Sequence, residues 1–191
     1  DKVLIASGRG PVTEGLNLEE IGVAHDGRGI EVDDKYETSV EGIYAIGDVN
    51  NTGIQLAHVA SNQGISVVER LMGETPEVNL DVYPNCVFTL PEVAFVGAME
   101  DELKEKGVKF KSSKFLFAAN GKALSLGETD GFIKVFSSEE DNKILGVTIL
   151  GPGANDLIHE GVFAIAHNLD VSSINRTIQA DPTLSEAFRK E

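Results

Sequence analysis

Two stretches of the sequence combine residue types that could take part in chemistry. In the first, the apolar run Ile43–Ile46, which predicts a strand, is followed by Gly47 and Asp48. A carboxylate at the C-terminal end of a strand lies where α/β folds bind ligands, and a glycine lets the backbone approach them closely. A long helix is predicted from Leu56 to Met72, and the free N–H groups of its first turn attract negative charge. These features suit a nucleotide-like cofactor, although a plain strand–turn–helix connection fits the same pattern.

The second stretch lies between Thr177 and Phe188 and contains the sequence Asp181-Pro182-Thr183. Aspartate is a strong helix N-cap, and proline suits the first helical position because its missing N–H costs nothing there. The apolar residues that follow have helical spacing. The pattern therefore predicts a helix over residues 183–190 with Asp181 as its cap. The alternative is that the same residues form half of an active site.

The thiol and imidazole groups do not suggest a metal site. The single cysteine, Cys86, excludes an internal disulphide and a thiolate metal cluster. It lies in an apolar, strand-like run, where a free cysteine behaves as a small hydrophobic residue. Among the four histidines, His159 and His167 are too far apart on one predicted helix to share an ion. The sequence therefore predicts no structural metal.

The composition narrows the classes of partner. Of the 191 residues, 41% are hydrophobic and 25% are charged, which is ordinary for a soluble protein. The formal net charge of −15 would repel a phosphate backbone, so nucleic acid is not an expected partner. The sequence has no run of about 18 apolar residues, so we expect no membrane-spanning segment.

The elements that must position these residues fall into three parts, residues 1–30, 31–80 and 81–191. The first opens with the apolar run Val3–Ala6, a buried-strand pattern so close to the first residue that we expect a longer protein. The third alternates runs of strands and helices, which is typical of an α+β domain with an antiparallel sheet, here of four or five strands. The strands predicted in it are 87–89, 94–96, 111–117, 131–136 and 144–150, and the helices are 100–106, 154–168, 172–175 and 183–190.

The segment Thr38–Val49 resembles the second FAD-contacting motif of the pyridine nucleotide-disulphide oxidoreductases. Other segments, in order along essentially the whole chain, resemble the dihydrolipoamide dehydrogenase branch of that family. These segments are residues 7–11, 56–58, 90–97, 119–123, 127–132, 144–154 and 182–186.

The resemblance implies contacts with two cofactors, FAD and NAD. The residues that it places at a cofactor are Gly8, Gly47, Asp48, Leu56, Ala57 and His58. Asp48 corresponds to the acid that binds the ribityl and pyrophosphate region of FAD. The backbone of residues 56–58 would face the pyrimidine edge of the flavin, and Gly8 falls at the closing strand of the NAD-binding region.

The resemblance also implies a domain organisation and partners. Residues 1–30 correspond to the end of the NAD-binding domain, 31–80 to the FAD-binding return segment, and 81–191 to the interface domain through which the family forms homodimers. The family's glycine loops and cysteine pair are not in this sequence and lie N-terminal to the matching parts. The implied protein oxidises dihydrolipoamide carried by the acyltransferase of a 2-oxo acid dehydrogenase complex. Its expected compartment is the cytoplasm or the mitochondrial matrix.

The sequence departs from the family at the second stretch. In the family a histidine precedes the proline and acts as acid–base for thiol transfer, oriented by a glutamate five residues later. Here the two positions hold Asp181 and Glu186. An aspartate is ordinarily ionised at neutral pH and is a feeble base, so we expect thiol exchange to be strongly impaired and this chain alone to be inactive. Two alternatives stay open, a non-catalytic dimerisation module of the same fold and a sibling disulphide reductase.

Overall fold

The computed structural model describes residues 1–189, which divide into two compact units with the boundary between Leu80 and Asp81. Unit 1, residues 1–80, contains α1 (Leu18–Ile21), β1 (His25–Asp26), β2 (Gly29–Ile30), a 3₁₀ turn at Gly47–Val49 and α2 (Ala57–Leu71). Unit 2 begins at Asp81 and contains the sheet strands β3 (Asn85–Val87), β4 (Glu92–Gly97), β5 (Phe110–Leu116), β6 (Phe132–Ser138) and β7 (Ile144–Gly151). Its helices are α3 (Glu100–Glu105), a 3₁₀ turn at Phe117–Ala119, α4 (Gly121–Leu126), α5 (Ala154–Ala166), α6 (Val171–Asn175) and α7 (Glu186–Arg189).

The long helix α2 of unit 1 agrees with its sequence pattern to within one residue at each end. Leu56 precedes it in an extended conformation, and Gly73 follows it with a φ of +81°. A glycine in this left-handed region is a common helix terminator because it lacks the Cβ that would clash there. The core of this unit is small, and its buried members are Leu18, Val23, Ile30 and Ala45.

The predicted strand at Ile43–Ile46 is wrong. Within the described residues this segment forms only one isolated bridge, between Glu37 and Tyr44. Its backbone instead folds back on the preceding loop, with the Ala45 N–H donating to Tyr36 O at 3.0 Å. A strand needs a neighbour to complete its hydrogen-bond ladder, and no neighbouring strand of the described residues lies beside this one.

The buried strand predicted at Val3–Ala6 is also wrong. Val3, Leu4 and Ile5 are 90%, 89% and 83% exposed and adopt no regular secondary structure. An apolar, β-branched sequence specifies a strand only where another strand pairs with it and a core covers it. Neither is present around this segment in the described part of unit 1.

Unit 2 confirms the predicted α+β fold with an antiparallel sheet. Its five strands lie in the order β3-β4-β7-β6-β5, and every neighbouring pair is antiparallel. In the central strands, every second residue faces a continuous hydrophobic core. Fully buried members of that core are Ala94, Val96, Ile133, Val147 and Ile149.

Helix α5 covers the buried face of the sheet. Ile158 is fully buried, and Val162, Ile165 and Leu169 pack against the same core, as their helical spacing predicts. The helix comes unusually close to β7 at Gly161, where an added Cβ would lie 2.9 Å from Val147 Cγ2. A glycine is therefore required at that position by the packing of helix on sheet.

The remaining bounds of unit 2 differ from the predictions by a few residues, with two larger differences. Helix α4 was not predicted; it is capped by Asn120, whose Oδ1 accepts from Ala123 N, and it ends at Gly127 in the left-handed conformation. Helix α7 begins at Glu186 and not at residue 183, and Lys190 lies outside the described residues.

Within residues 1–189, none of the helices is both long and apolar enough to span a membrane.

Candidate functional site

The turn that carries Asp48 packs directly against α2. Gly47 is buried with a φ of +73°, and a Cβ on it would lie 3.1 Å from the Cβ of Ala60. One turn further along the helix, a Cβ on Gly64 would lie 3.0 Å from Ile46 Cδ1. The small-residue face of α2 is therefore filled by the segment before Asp48. The role of Gly47 is to let the turn and the helix approach one another.

A buried glutamine on α2 holds this turn in place. Gln63 is fully buried, and its Oε1 accepts from the N–H of Gly47 at 2.7 Å and from Asn50 Nδ2 at 3.2 Å. Asn50 is itself buried, and its Oδ1 accepts from Thr52 N at 3.1 Å. Buried polar groups of this kind fix a local structure because leaving a donor unpaired is costly.

Sequence reasoning missed Gln63. The signal for it is present, since Gln63 lies three residues after Ala60 and beside Gly64, on the small-residue face of the helix. A polar side chain on a face that packs closely against backbone is expected to bind that backbone.

The groups that this turn and α2 present outward suit a polar, electron-rich ligand. Asp48 is exposed, and its carboxylate accepts no hydrogen bond from any part of the chain that the structure describes. Leu56, Ala57 and His58 open α2, and the side chain of the N-cap residue Leu56 makes no cap hydrogen bond. The N-terminal N–H groups of a helix this long carry a partial positive charge. The carboxylate can accept hydrogen bonds from hydroxyl groups of a ligand, and the N–H groups at the helix N-terminus can face its negative charge. A flavin nucleotide carries both kinds of group.

Gly8 is not brought to this turn by any described contact. It lies in the exposed segment 1–10 with a φ of +92°, and no other described atom lies within 4 Å of the position its Cβ would take. Its predicted role at NAD therefore stays a prediction.

In unit 2, Asp181 does not cap a helix. Asp181 is exposed, and α7 begins five residues later, at Glu186. The first turn of this helix is instead stabilised from Thr183, whose N–H donates to Glu186 Oε2 at 3.0 Å. The contact resembles one half of a capping box, in which a glutamate binds the N–H three residues before it, but Glu186 is the first residue of α7 and not the third.

The sequence contained the signal for this arrangement. Thr183-x-x-Glu186 matches the capping-box pattern, and it competes with Asp181-Pro182 as the start of the helix. Because α7 begins only at Glu186, Asp181 lies five residues before its first residue, and within the described residues its carboxylate accepts no hydrogen bond from this helix. The cap predicted at Asp181 is therefore wrong, and the side chain of Asp181 is left exposed.

Cys86 lies in β3, is half-buried and packs against the core of unit 2. Burial raises the pKa of its thiol, and the negative charges of Glu92 and Asp156 raise it further. A thiol of raised pKa is a poor nucleophile and a poor metal ligand at neutral pH. Among residues 1–189, no three histidine, cysteine or acidic side chains are grouped so that they could hold a metal ion.

Comparison with protein families places both units in one family. The model described as "Pyridine nucleotide-disulphide oxidoreductase, dimerisation domain" matches residues 83–191. The model described as "Pyridine nucleotide-disulphide oxidoreductase" matches residues 1–64. Together the two matches cover unit 2 from Tyr83 onward and most of unit 1.

The chain is also similar to curated proteins over its full length. It is 42% identical over 191 residues to the mitochondrial dihydrolipoyl dehydrogenase of Mus musculus, and 44% identical over 191 residues to that of Pisum sativum. The match covers 100% of this chain, but only 37% and 38% of the two relatives. The chain therefore spans well under half the length of these relatives.

Two solved structures share its fold. LpdA from Mycobacterium tuberculosis matches 94% of this chain and 39% of its own, with a TM-score of 0.87 and 28% identity. RclA, an HOCl-induced flavoprotein disulfide reductase from Escherichia coli, matches 97% of this chain and 43% of its own, with a TM-score of 0.88 and 26% identity.

Proposed function

The chain belongs to the pyridine nucleotide-disulphide oxidoreductase family, and from that premise we propose that it is the C-terminal part of a flavoprotein that oxidises dihydrolipoamide with FAD and NAD. The observation that carries the proposal is the arrangement in unit 1, where the free carboxylate of Asp48 lies on a turn packed against α2. The identity of 42% and 44% to two dihydrolipoyl dehydrogenases supports dihydrolipoamide as the substrate.

Each part of the chain has a proposed place in the intact protein. Residues 1–30 are the end of an NAD-binding domain, with Gly8 at its closing strand. Residues 31–80 are the returning segment of an FAD-binding domain. Residues 81–191 are an interface domain that forms a homodimer, as the description of the matching family supports. The partner is the dihydrolipoamide-bearing acyltransferase of a 2-oxo acid dehydrogenase complex, in the cytoplasm or, as in the mitochondrial relatives, in the matrix.

The residues of unit 1 bind and orient the flavin nucleotide. The carboxylate of Asp48 would accept hydrogen bonds from ribityl hydroxyls, and Gly47 lets the turn that carries it pack against α2. The backbone of residues 56–58 would face the pyrimidine edge of the flavin, where the helix N-terminus would stabilise negative charge. FAD, when bound, supplies the two-electron acceptor between the dithiol and NAD.

Asp181 and Glu186 occupy the acid–base positions of the thiol-transfer site, and Asp181 is poorly suited to that role. A neutral imidazole accepts a thiol proton near neutral pH, whereas a carboxylate is a much weaker base. The negative charge of an aspartate also repels the thiolate that forms. We therefore expect slow dithiol oxidation in the natural sequence.

The experiment is the substitution Asp181→His in the intact protein. Because a well-placed general base contributes about 10²–10⁴-fold, lipoamide-dependent reduction of NAD should rise by a factor in that range. The control is Asp141→His, which makes the same change at an exposed residue of a loop in unit 2 and should leave the rate unaltered. An absence of any gain with a full complement of FAD would contradict the proposed role of position 181.

The aspartate at this position also favours a second candidate, a dimerisation module that does not catalyse thiol exchange. Flavin absorbance of the purified intact protein separates the two functions. The oxidoreductase must be yellow, and a colourless protein would favour the module.

A further inference from the structure

Asn120 joins α4 to the segment that precedes α7. Its side chain is fully buried. Its Oδ1 accepts from Ala123 N at 2.9 Å and caps α4, while its Nδ2 donates to the carbonyl oxygen of Thr183 at 3.1 Å. One amide group therefore binds both α4 and the segment before α7, and Asn120 and Thr183 are 63 positions apart in sequence.

Thr183 uses all of its polar groups to fix the backbone between Asp181 and Glu186. Its carbonyl accepts from Asn120, and its N–H donates to Glu186 Oε2 at 3.0 Å. Its hydroxyl donates to Ala180 O at 2.6 Å. The first of these three bonds is the one that joins the segment to a different part of unit 2, since the other two remain within residues 180–186.

Asn120, the donor of the bond to Thr183, is itself held rigidly. The N–H of Asn120 donates to Phe117 O at 2.9 Å, and its carbonyl accepts from Leu124 N at 3.0 Å. Phe117 is fully buried, and its ring lies so close to Gly151 that a Cβ there would come within 2.6 Å of it. Asn120 is thus part of the packed core, whereas Asp181 and Pro182 are exposed.

We propose that Asn120 is a positioning residue of the thiol-transfer site, which fixes the segment Asp181–Glu186 on unit 2 through Thr183. This inference rests on the proposed function for the role of the segment, and on the hydrogen bonds above for the attachment itself. Removal of the attachment leaves α7 in place, because Ala187 and Phe188 are buried in the core. The turn that carries Asp181 is then held less firmly, by the packing of Leu184 against the core without the hydrogen bond to Asn120.

The substitution Asn120→Ser separates this role from helix capping. Serine caps a helix about as well as asparagine does, so an acceptor for Ala123 N is kept. A serine side chain is too short to carry a donor to the carbonyl of Thr183, so the attachment is lost without introducing a buried charge. The control Asn175→Ser makes the same change at an exposed residue of α6.

Amide hydrogen exchange of the intact protein tests the attachment. In Asn120→Ser, residues 180–186 should exchange about three- to tenfold faster, the factor expected for the loss of one hydrogen bond. Residues 121–126 should keep their exchange rates, as should both segments in the control. Unchanged exchange over 180–186 would overturn the proposal, and so would equal acceleration of α4, because the substitution would then act only through the cap.

Activity tests whether the attachment positions the reacting groups. In an Asp181→His background, Asn120→Ser should lower dithiol-dependent turnover about tenfold, because misplaced reacting groups react more slowly. Oxidation of NADH by ferricyanide, which needs the flavin but not the thiol-transfer residues, should stay within about twofold. An equal fall in both activities, or no fall in either, would overturn the positioning role. If the Asp181→His protein has no dithiol activity, the proposed function fails, and hydrogen exchange alone decides whether Asn120 holds the segment.

Discussion

The two units differ in how fully their apolar sequence is buried. Unit 2 closes five strands into one sheet and buries a core of fourteen residues beneath α5. Unit 1 buries four core residues and leaves an apolar run at its start, including Leu4, almost fully exposed. Both units have strand-like sequence. The difference teaches that a strand pattern becomes a strand only where its partners belong to the same unit.

The surface of α2 shows the same difference in burial between the two units. An apolar groove of about 650 Å³ runs along this helix, lined by Tyr44, Ile46, Gly64, Ile65 and Val68. A helix of a globular protein ordinarily covers such a face against its core. In unit 2 the corresponding face of α5 is covered by the sheet.

The largest expected effect is a difference in hydrogen exchange between the two units. Residues 1–10 are exposed and have no regular structure, so their amides should exchange at rates near those of an unfolded peptide. Amides in β6 and β7 should exchange at least about a thousandfold more slowly, because they open only with the whole unit. Exchange measured by mass spectrometry on this chain checks the prediction. Comparable protection in the two regions would remove the contrast between the units.

A smaller effect is expected from the buried amide of unit 1. Gln63→Met keeps the length of the side chain but removes the acceptor for Gly47 N, which leaves a buried donor unpaired. The free energy of unfolding of unit 1 should fall by about 1–3 kcal/mol.

Hydrogen exchange across α2 in increasing urea measures this change. Ser61→Ala, on the exposed side of the same helix, is the matched control and should change stability by less than about 0.5 kcal/mol. Exchange in β6 should be unaffected by either substitution. A loss of protection in both units would show that they unfold together, which would contradict separate stabilities of the two units.

The smallest effect concerns pH and unit 2. Glu100 on α3 pairs with Lys104 at 2.8 Å and also with Lys134 of β6. Hydrogen bonds from Lys104 and then from Lys134 lower the pKa of Glu100 from 4.5 to about 2. A carboxyl group whose pKa is lower in the folded state contributes stability above its unfolded pKa, and that contribution is lost as the pH falls towards the folded value.

Unit 2 should therefore lose this increment of stability between about pH 4.5 and pH 2. Unfolding of Glu100→Gln, followed in urea at several pH values, should show a weaker pH dependence in that window than the natural chain. Glu105→Gln, an exposed residue of the same helix, should behave as the natural chain does. Identical pH dependence in all three proteins would mean that the ion pairs on Glu100 add nothing to folding.

Much of the fold could be predicted because its signals are local. The apolar spacing of α5 and the glycine after α2 gave the bounds of both helices to within one or two residues. Strand runs followed by helix runs gave the sheet of unit 2, and β7 differs from its prediction by a single residue. The motif that contains Asp48 indicated the family only together with the other matching segments along the chain.

Local signals gave a wrong start for the last helix, because two of them competed there. Asp181-Pro182 and Thr183-x-x-Glu186 both predict the start of a helix; the structure contains the contact between Thr183 and Glu186, but the helix begins later, at Glu186. The N–H of Thr183 is bound by a side chain that comes later in the sequence, a contact whose geometry no propensity scale contains.

The sequence by itself determined the family, the two long helices and the segments that form the sheet of unit 2, because periodicity and turn residues act over a few positions. The tertiary structure alone decided which strand-like runs are paired, since pairing depends on neighbours far along the chain. It also decided that Gln63 binds the backbone of Gly47 and that Asn120 binds Thr183. Such bonds join residues 16 and 63 positions apart, and only the folded chain brings their donors and acceptors within reach.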